Sequence, residues 1–138
     1  MIGLDTNILA RYFIDDETDA EAVKQRAVAK RLIESGKALM VSKTVILELE
    51  WVMRGYYGFT PAEIAPVFAH LLTFAHITIE DRTAVEQALA SFEQGLDFAD
   101  SLHHASYQAC DTMATFDDRR FSRRAVRLGL VPRVIVPK

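Results

Sequence analysis

Four acidic residues lie where a carboxylate could do chemistry. Asp5, Asp100 and Asp117 each fall at the end of a predicted strand or at the start of a predicted helix. In a parallel sheet those junctions share one edge, which is where open α/β folds bind ligands. The fourth residue, Glu48, lies among apolar residues in a predicted helix. Taken singly, the first three have an ordinary alternative explanation, since an acidic side chain is also a good helix cap.

Taken together, the four acids favour a metal site over a set of unrelated caps. Several carboxylates held close together repel one another and cannot all stay ionised without a cation. A set of oxygen ligands, with no cysteine and no evident histidine, suits Mg²⁺ or Mn²⁺. Such ions polarise phosphoryl oxygens and lower the pKa of bound water, which is the chemistry of phosphodiester hydrolysis. We therefore predict as metal ligands and catalytic residues Asp5, Glu48, Asp100 and Asp117.

The helix predicted at about residues 45–54 contains two glutamates, and its phase decides which of them faces the core. At about 100° per residue, one apolar face is formed by Val45, Leu49 and Val52. Glu48 then projects between Trp51 and Val52 as a half-buried carboxylate. Glu50 falls on a different side, four residues before Arg54, and is predicted to form an exposed ion pair.

Short apolar strands alternate with amphipathic helices along the chain. Strands are predicted before Asp5 and at 39–41, 76–79, 112–115 and 134–136, and helices lie between them. This alternation indicates an α/β fold, a three-layer domain with a central parallel sheet flanked by helices. The chain of 138 residues is long enough for a core without disulfides, so we assign residues 1–138 to a single domain.

The composition indicates a cytoplasmic globular protein. Half of the residues are hydrophobic and a quarter are charged, and no apolar run approaches the roughly 18 residues of a membrane span. The N-terminus does not have the pattern of a signal peptide. The single cysteine, Cys110, fits a reducing compartment.

Charge is distributed unevenly along the chain. Residues 1–110 contain nine Lys or Arg and sixteen Asp or Glu, whereas residues 111–138 contain seven and three. Part of the excess is a short arginine-rich segment that includes Arg119, Arg120, Arg123 and Arg124. A solvated helix face is one explanation, and a surface that binds RNA phosphates or an acidic partner is the other.

Four blocks of the sequence together resemble PIN domains of the VapC type, the ribonuclease toxins of bacterial toxin–antitoxin pairs. The blocks are MIGLDTNILARYF, VSKTVILELEWVMRGYYGF, LDFADSLHHA and ATFDDRRF, in the family's order and spacing. The resemblance implies the PIN fold, a central parallel sheet with helices on both faces. It places the family's acidic set on the four acids named above, and its small polar residues on Thr6, Asn7 and Thr115.

The resemblance also implies an activity and partners. The activity is metal-dependent endoribonuclease cleavage of RNA that leaves a 5′-phosphate and a 3′-hydroxyl. The partners are a small antitoxin protein and a second copy of the chain in a homodimer. An arginine of the antitoxin can pair with carboxylates in an acidic groove, and apolar surface for a docking helix would come from Trp51, Tyr56 and Tyr57.

Other functions fit the sequence less well. A phosphatase of the haloacid dehalogenase type needs a second Asp where Asn7 stands. A receiver-like signalling domain needs a lysine at the end of a late strand, whereas the only lysine after Lys43 is the terminal Lys138. A catalytically silent PIN module that only binds partners is opposed by the four retained acids. His103 and His104 are candidates for a general base, but a metal-bound hydroxide needs no protein base.

Overall fold

Helices and short strands alternate along the chain in a computed structural model that describes residues 1–138. The chain divides into two units, Met1–Arg82 and Thr83–Lys138. The first unit contains β1 (Ile2–Gly3), α1 (Thr6–Phe13), α2 (Ala20–Ile33), β2 (Leu39–Val41), α3 (Lys43–Trp51), a π-helical turn (Val52–Tyr56), α4 (Pro61–Leu71) and β3 (Ile77–Ile79). Helix α5 (Arg82–Glu93) begins at the boundary. The second unit continues with α6 (Phe98–Ala105), β4 (Thr112–Ala114), a π-helical turn (Asp118–Ser122), α7 (Arg123–Arg127) and β5 (Arg133–Ile135).

The first unit is built on a parallel three-stranded sheet in the order β1-β2-β3. Leu39 pairs with Ile2 on one side and with Ile77 on the other. Central strand β2 buries Leu39 and Val41 with Met40 partly buried between them, whereas β3 buries Ile77 and Ile79 and exposes Thr78. The alternation of β3 is the period-two pattern of a strand with one buried face.

The second unit has its own parallel pair, β4 and β5, with Thr112 opposite Arg133 and Ala114 opposite Ile135. Behind this pair lies a small apolar cluster of Leu96, Phe121, Ala125 and Val134, with Met113 and Leu130 packed against it. Phe121 belongs to the π-helical turn and Ala125 to α7. The arginine-rich segment is therefore attached to the core through its apolar residues, which leaves its cations on the outside.

The α/β class and the parallel strands are confirmed. A strand lies at each predicted position, and Ser42, Thr60 and Asp97 are the N-caps of α3, α4 and α6. The hydrogen-bonded strands form two ladders, one in each unit. None of the helices combines the length and the apolar composition that a membrane span requires.

The predicted phase of α3 is wrong. Its buried residues are Ile46, Leu49 and Glu50, and Met53 continues this stripe at the i, i+3, i+4, i+7 spacing. Glu48 is exposed rather than half-buried, and Glu50 is only 2% exposed. The predicted ion pair exists, with Arg54 Nε 3.0 Å from Glu50 Oε2, but its carboxylate is buried. The helix carries apolar residues around most of its own circumference, so the hydrophobic pattern of the sequence is compatible with more than one buried face.

Candidate active site

Asp5 lies at the junction of β1 and α1, as predicted. The preceding Leu4 N–H donates to the Met40 carbonyl at 2.8 Å, which extends the β1–β2 ladder up to Asp5. Asp5 then caps α1, and its Oδ1 accepts a hydrogen bond from the Thr6 N–H at 2.8 Å. The side chain is exposed. Asp5 is thus both a cap and an accessible carboxylate, because one oxygen in the cap leaves the other one available.

Thr6 presents a hydroxyl without a partner beside Asp5. The residue is 5% exposed, and its Oγ1 is buried without a hydrogen bond. Buried hydroxyl groups are hydrogen-bonded in the large majority of cases, and an unsatisfied one in a native site calls for an explanation such as a bound water or ion. Thr6 therefore fits its predicted supporting role next to the first acid.

Asp5, Thr6 and Glu48 line the same groove of the first unit, which has a volume of about 440 Å³. Asn7 also lines it, as do the aromatic residues Trp51, Tyr56 and Tyr57. The corrected phase of α3 explains the presence of Glu48: the residue lies off the buried stripe and is exposed to the groove. Two of the four predicted acids are therefore placed in one groove, with the two predicted small polar residues of this unit.

A hydrogen-bond chain in this groove was not predicted. Arg11 donates to Gln25 Oε1 at 2.9 Å and to the Tyr57 hydroxyl at 3.3 Å. The Tyr57 hydroxyl in turn donates to Asp16 Oδ2 at 3.4 Å. Hydrogen bonding from the Thr18 side chain, more than any other cause, lowers the pKa of the Asp16 carboxyl. Tyr57 is 46 residues from Arg11 and 41 from Asp16 in sequence, so no local pattern could have indicated these two contacts.

In the second unit, Asp100 is the centre of an acidic group. Asp97 caps α6, and its Oδ2 accepts from the Asp100 N–H at 3.1 Å. Burial raises the pKa of the half-buried Asp100 carboxyl, and the negative charges of Asp97 and Asp117 raise it further. The positive charge of His103 acts in the opposite direction. Two neighbouring carboxylates, those of Asp97 and Asp117, therefore repel the ionised form of Asp100.

Asp117 caps the turn that follows β4. Its Oδ1 accepts from the Arg120 N–H at 3.0 Å, and its own N–H donates to Thr115 Oγ1 at 3.1 Å. Thr115, the third predicted supporting residue, therefore holds the backbone at Asp117. The next residue, Asp118, pairs with Arg123 at 2.7 Å. Like Asp5, Asp117 is at once a cap and an exposed carboxylate.

The four predicted RNA-binding arginines are exposed, but they are not equivalent. Arg123 is held by Asp118, and Arg124 Nη1 donates to the Gly95 carbonyl at 3.4 Å. Arg119 and Arg120 precede them on the π-helical turn. One residue before Asp117, Phe116 is 85% exposed, a feature that sequence reasoning missed.

The two histidines have different positions. His104 is buried, its Nε2 donates to the Pro132 carbonyl at 2.7 Å, and its ring packs edge-on against Phe121. His104 is therefore a structural residue that connects α6 to the segment before β5. His103 is exposed and lies close enough to Asp100 to affect its pKa.

The donor chemistry of these residues suits a hard cation, because the predicted acids and their neighbours offer oxygen ligands. Asp5 and Glu48 belong to the first unit, and Asp100 and Asp117 to the second. Neither unit by itself contains three or more His, Cys, Asp or Glu side chains grouped so that they could hold a metal ion.

Comparison with known proteins gives one match. A family model described as PIN domain matches residues 2–127 and so includes all four predicted acids. No curated protein and no solved structure matches the chain.

Proposed function

Because this chain belongs to the PIN domain family, we propose that it is a metal-dependent endoribonuclease that acts as the toxin of a toxin–antitoxin pair. The PIN domain is a nuclease-type fold, and its members are generally metal-dependent nucleases. The observation that carries the proposal is the groove in which Asp5 and Glu48 lie together with the unpartnered hydroxyl of Thr6. Carboxylates and a hydroxyl in one accessible groove suit a hydrated divalent cation.

We propose that the acidic set consists of Asp5, Glu48, Asp100 and Asp117, with Mg²⁺ or Mn²⁺ as the cofactor. When bound, such an ion polarises a phosphoryl oxygen and lowers the pKa of bound water. The chain itself supplies carboxylates in fixed positions. Asp5 and Asp117 are helix caps, and each has one carboxylate oxygen hydrogen-bonded to a backbone N–H. Burial, and then the charges of Asp97 and Asp117, raise the pKa of Asp100, and a bound cation would offset the repulsion among these carboxylates. Thr6, Asn7 and Thr115 support these acids.

We assign residues 1–138 to a single PIN domain. The match over residues 2–127 extends through most of both units, which supports this assignment. The resemblance to VapC-type proteins supports a cytoplasmic location, a homodimer and a small antitoxin partner. Within this chain, the exposed Trp51 and Tyr56 next to Glu48 suit an antitoxin helix that carries an arginine.

Cleavage of total RNA by the purified protein tests the ribonuclease proposal. Mg²⁺ or Mn²⁺ should support cleavage into fragments with a 5′-phosphate and a 3′-hydroxyl, and EDTA should abolish it. Asp5→Asn and Asp100→Asn should each reduce the rate by orders of magnitude while the fold is retained. The matched controls are Asp15→Asn and Asp111→Asn, which neutralise exposed acids elsewhere in the same two units.

Two outcomes would contradict this proposal. Cleavage that resists EDTA and yields 2′,3′-cyclic phosphate ends would exclude the metal-dependent mechanism. A folded wild-type protein that cleaves no RNA, yet binds a partner, would instead be the catalytically silent PIN module.

A further inference from the structure

Phe116 is the most exposed large apolar side chain of the protein, with 85% of its surface open to solvent. It lies in the short loop between β4 and the following π-helical turn, directly before Asp117. We propose that Phe116 stacks against an unpaired nucleobase of the RNA substrate, next to Asp117. This inference rests on the proposed ribonuclease function and adds to it a residue that positions the substrate.

The backbone on both sides of Phe116 is held in place. Before it, the Thr115 N–H donates to the Ile135 carbonyl at 2.9 Å, which fixes the loop to β5. After it, the Asp117 N–H donates to Thr115 Oγ1, and Asp117 receives the Arg120 N–H. An aromatic ring held on a fixed loop loses little conformational freedom when a base stacks on it, and this favours binding.

The charges around Phe116 favour a polyanion over a protein surface. Asp118 pairs with Arg123, and Arg124 contacts the Gly95 carbonyl, so these two cations have partners within the chain. Arg119 and Arg120 are exposed, three and four residues after Phe116. Residues 111–138 as a whole contain seven Lys or Arg and three Asp or Glu. An exposed aromatic ring beside such cations is the combination that binds single strands: the ring stacks on a base and the cations contact the backbone.

Stacking on Phe116 requires a base that is not part of a duplex. In an A-form duplex the base faces are stacked on one another, whereas loops, bulges and ends offer bases that an aromatic side chain can stack on. Phe116 is also adjacent in sequence to Asp117, one of the proposed catalytic acids. A base stacked on Phe116 would hold its nucleotide beside the Asp117 carboxylate.

Binding of RNA by the full-length protein tests the inference. A fluorescent 12-nucleotide oligouridine and a perfect RNA duplex serve as probes, and the Asp5→Asn background prevents cleavage. Phe116→Ala should weaken binding of the single strand about ten-fold, the typical loss for one stacked base, and leave duplex binding unchanged. Phe116→Trp should retain binding, while Phe116→Leu should lose it as Ala does. Tyr107→Ala, which removes another exposed ring of the same unit, should have no effect.

Salt dependence separates the roles of ring and cations. Arg119→Gln and Arg120→Gln should each reduce the slope of log affinity against log salt by about 0.7, the value for one phosphate of a single strand. Phe116→Ala should lower the affinity at every salt concentration without changing the slope. Arg31→Gln, an exposed arginine on α2, is the matched control and should leave the slope unchanged.

Three results would overturn the inference. The first is wild-type affinity in Phe116→Leu, and the second is an equal loss on single strand and duplex. The third is a changed oligomeric state of Phe116→Ala in light scattering with unchanged RNA binding, which would assign this face to a contact between copies.

The experiments distinguish failure of the stacking role from failure of the proposed ribonuclease function. If the wild type cleaves RNA in a metal-dependent way and Phe116→Ala binds RNA as the wild type does, only the stacking role is refuted. Phe116-dependent binding without any cleavage by the wild type would support the stacking role and refute the nuclease.

Discussion

Glu50 of α3 and Arg54 of the following π-helical turn form an ion pair in which the carboxylate is buried and the guanidinium is half-exposed. Arg54 Nε lies 3.0 Å from Oε2 and 3.4 Å from Oε1 of Glu50. The side chain of Glu50 is 3% exposed and that of Arg54 is 52% exposed. A buried carboxylate is costly without a partner, and Arg54 compensates Glu50 in the helical phase that exposes Glu48 to the groove.

The first prediction concerns the stability of this pair. Arg54→Gln removes the charge that compensates Glu50 and should lower the free energy of unfolding by about 2 kcal/mol. That figure lies below the 3–5 kcal/mol of fully buried pairs, because Arg54 is half in water. Urea denaturation measures the change. Glu48→Gln, two positions away and exposed, should change stability by less than about 0.5 kcal/mol. Equal losses in both variants would contradict the phase of α3.

The second prediction concerns the pH dependence contributed by Asp100. Its pKa is raised in the folded protein, first by burial and then by Asp97 and Asp117. The folded state therefore binds the proton more tightly than the unfolded chain does. The contribution of Asp100 to the free energy of unfolding is therefore complete below the ordinary pKa of an aspartate. It is lost as the pH rises through the raised pKa of Asp100 in the folded protein.

Asp100→Asn removes this pH dependence. The metal-free variant should melt higher than the wild type at pH 7, and the difference should shrink towards pH 4. Thermal melts in EDTA across this range measure it, and Asp111→Asn, an exposed acid of the same unit, should track the wild type. A constant difference at all pH values would show that the substitution acts through packing instead.

The third prediction concerns metal binding by Asp5. Mg²⁺ should raise the melting temperature of the wild type by mass action, because the folded protein holds the ion and the unfolded chain does not. Asp5→Asn should respond much less, while Asp15→Asn should respond as the wild type does. Differential scanning fluorimetry with a Mg²⁺ titration provides the measurement. Identical shifts in wild type and Asp5→Asn would remove Asp5 from the metal site.

The fourth prediction concerns the antitoxin. Trp51 and Tyr56 are 62% and 77% exposed beside the acids of the groove, and buried aromatic anchors commonly cost 2 kcal/mol or more when truncated. Trp51→Ala and Tyr56→Ala should each weaken antitoxin binding by at least about ten-fold in calorimetry. Arg119→Gln and Arg120→Gln should leave it unchanged. The reverse pattern would mean that the antitoxin and RNA surfaces are exchanged.

The fifth prediction separates the two histidines. His104→Leu leaves the Pro132 carbonyl without its donor and should cost about 1–3 kcal/mol of stability. His103→Gln lies on the surface and should preserve both the fold and RNA cleavage. Denaturation and a cleavage assay on both variants check this. Loss of cleavage in folded His103→Gln would give that residue a direct part in the reaction.

Features that depend on contacts between neighbouring residues could be predicted from the amino-acid sequence. Asp5, Asp97 and Asp117 are recognisable as caps because capping joins a side chain to backbone one to three residues away. The α/β class follows from the alternation of short apolar runs with amphipathic segments. The four acids and the PIN resemblance could be read from the chain, because the blocks that contain them are local patterns.

The face of each element that meets the core depends instead on how the whole chain packs. Helix α3 is apolar around most of its circumference, so packing and the Arg54 partner, rather than periodicity, selected the face that buries Glu50 and exposes Glu48. The contact of Arg11 with Tyr57 joins residues 46 positions apart. Phe116 is apolar, and composition would have placed it in the core. Its ring is exposed on a loop whose flanking residues are fixed to β5 and to the following turn. Burial of a side chain depends on the packing of the whole chain, which a local sequence pattern does not contain.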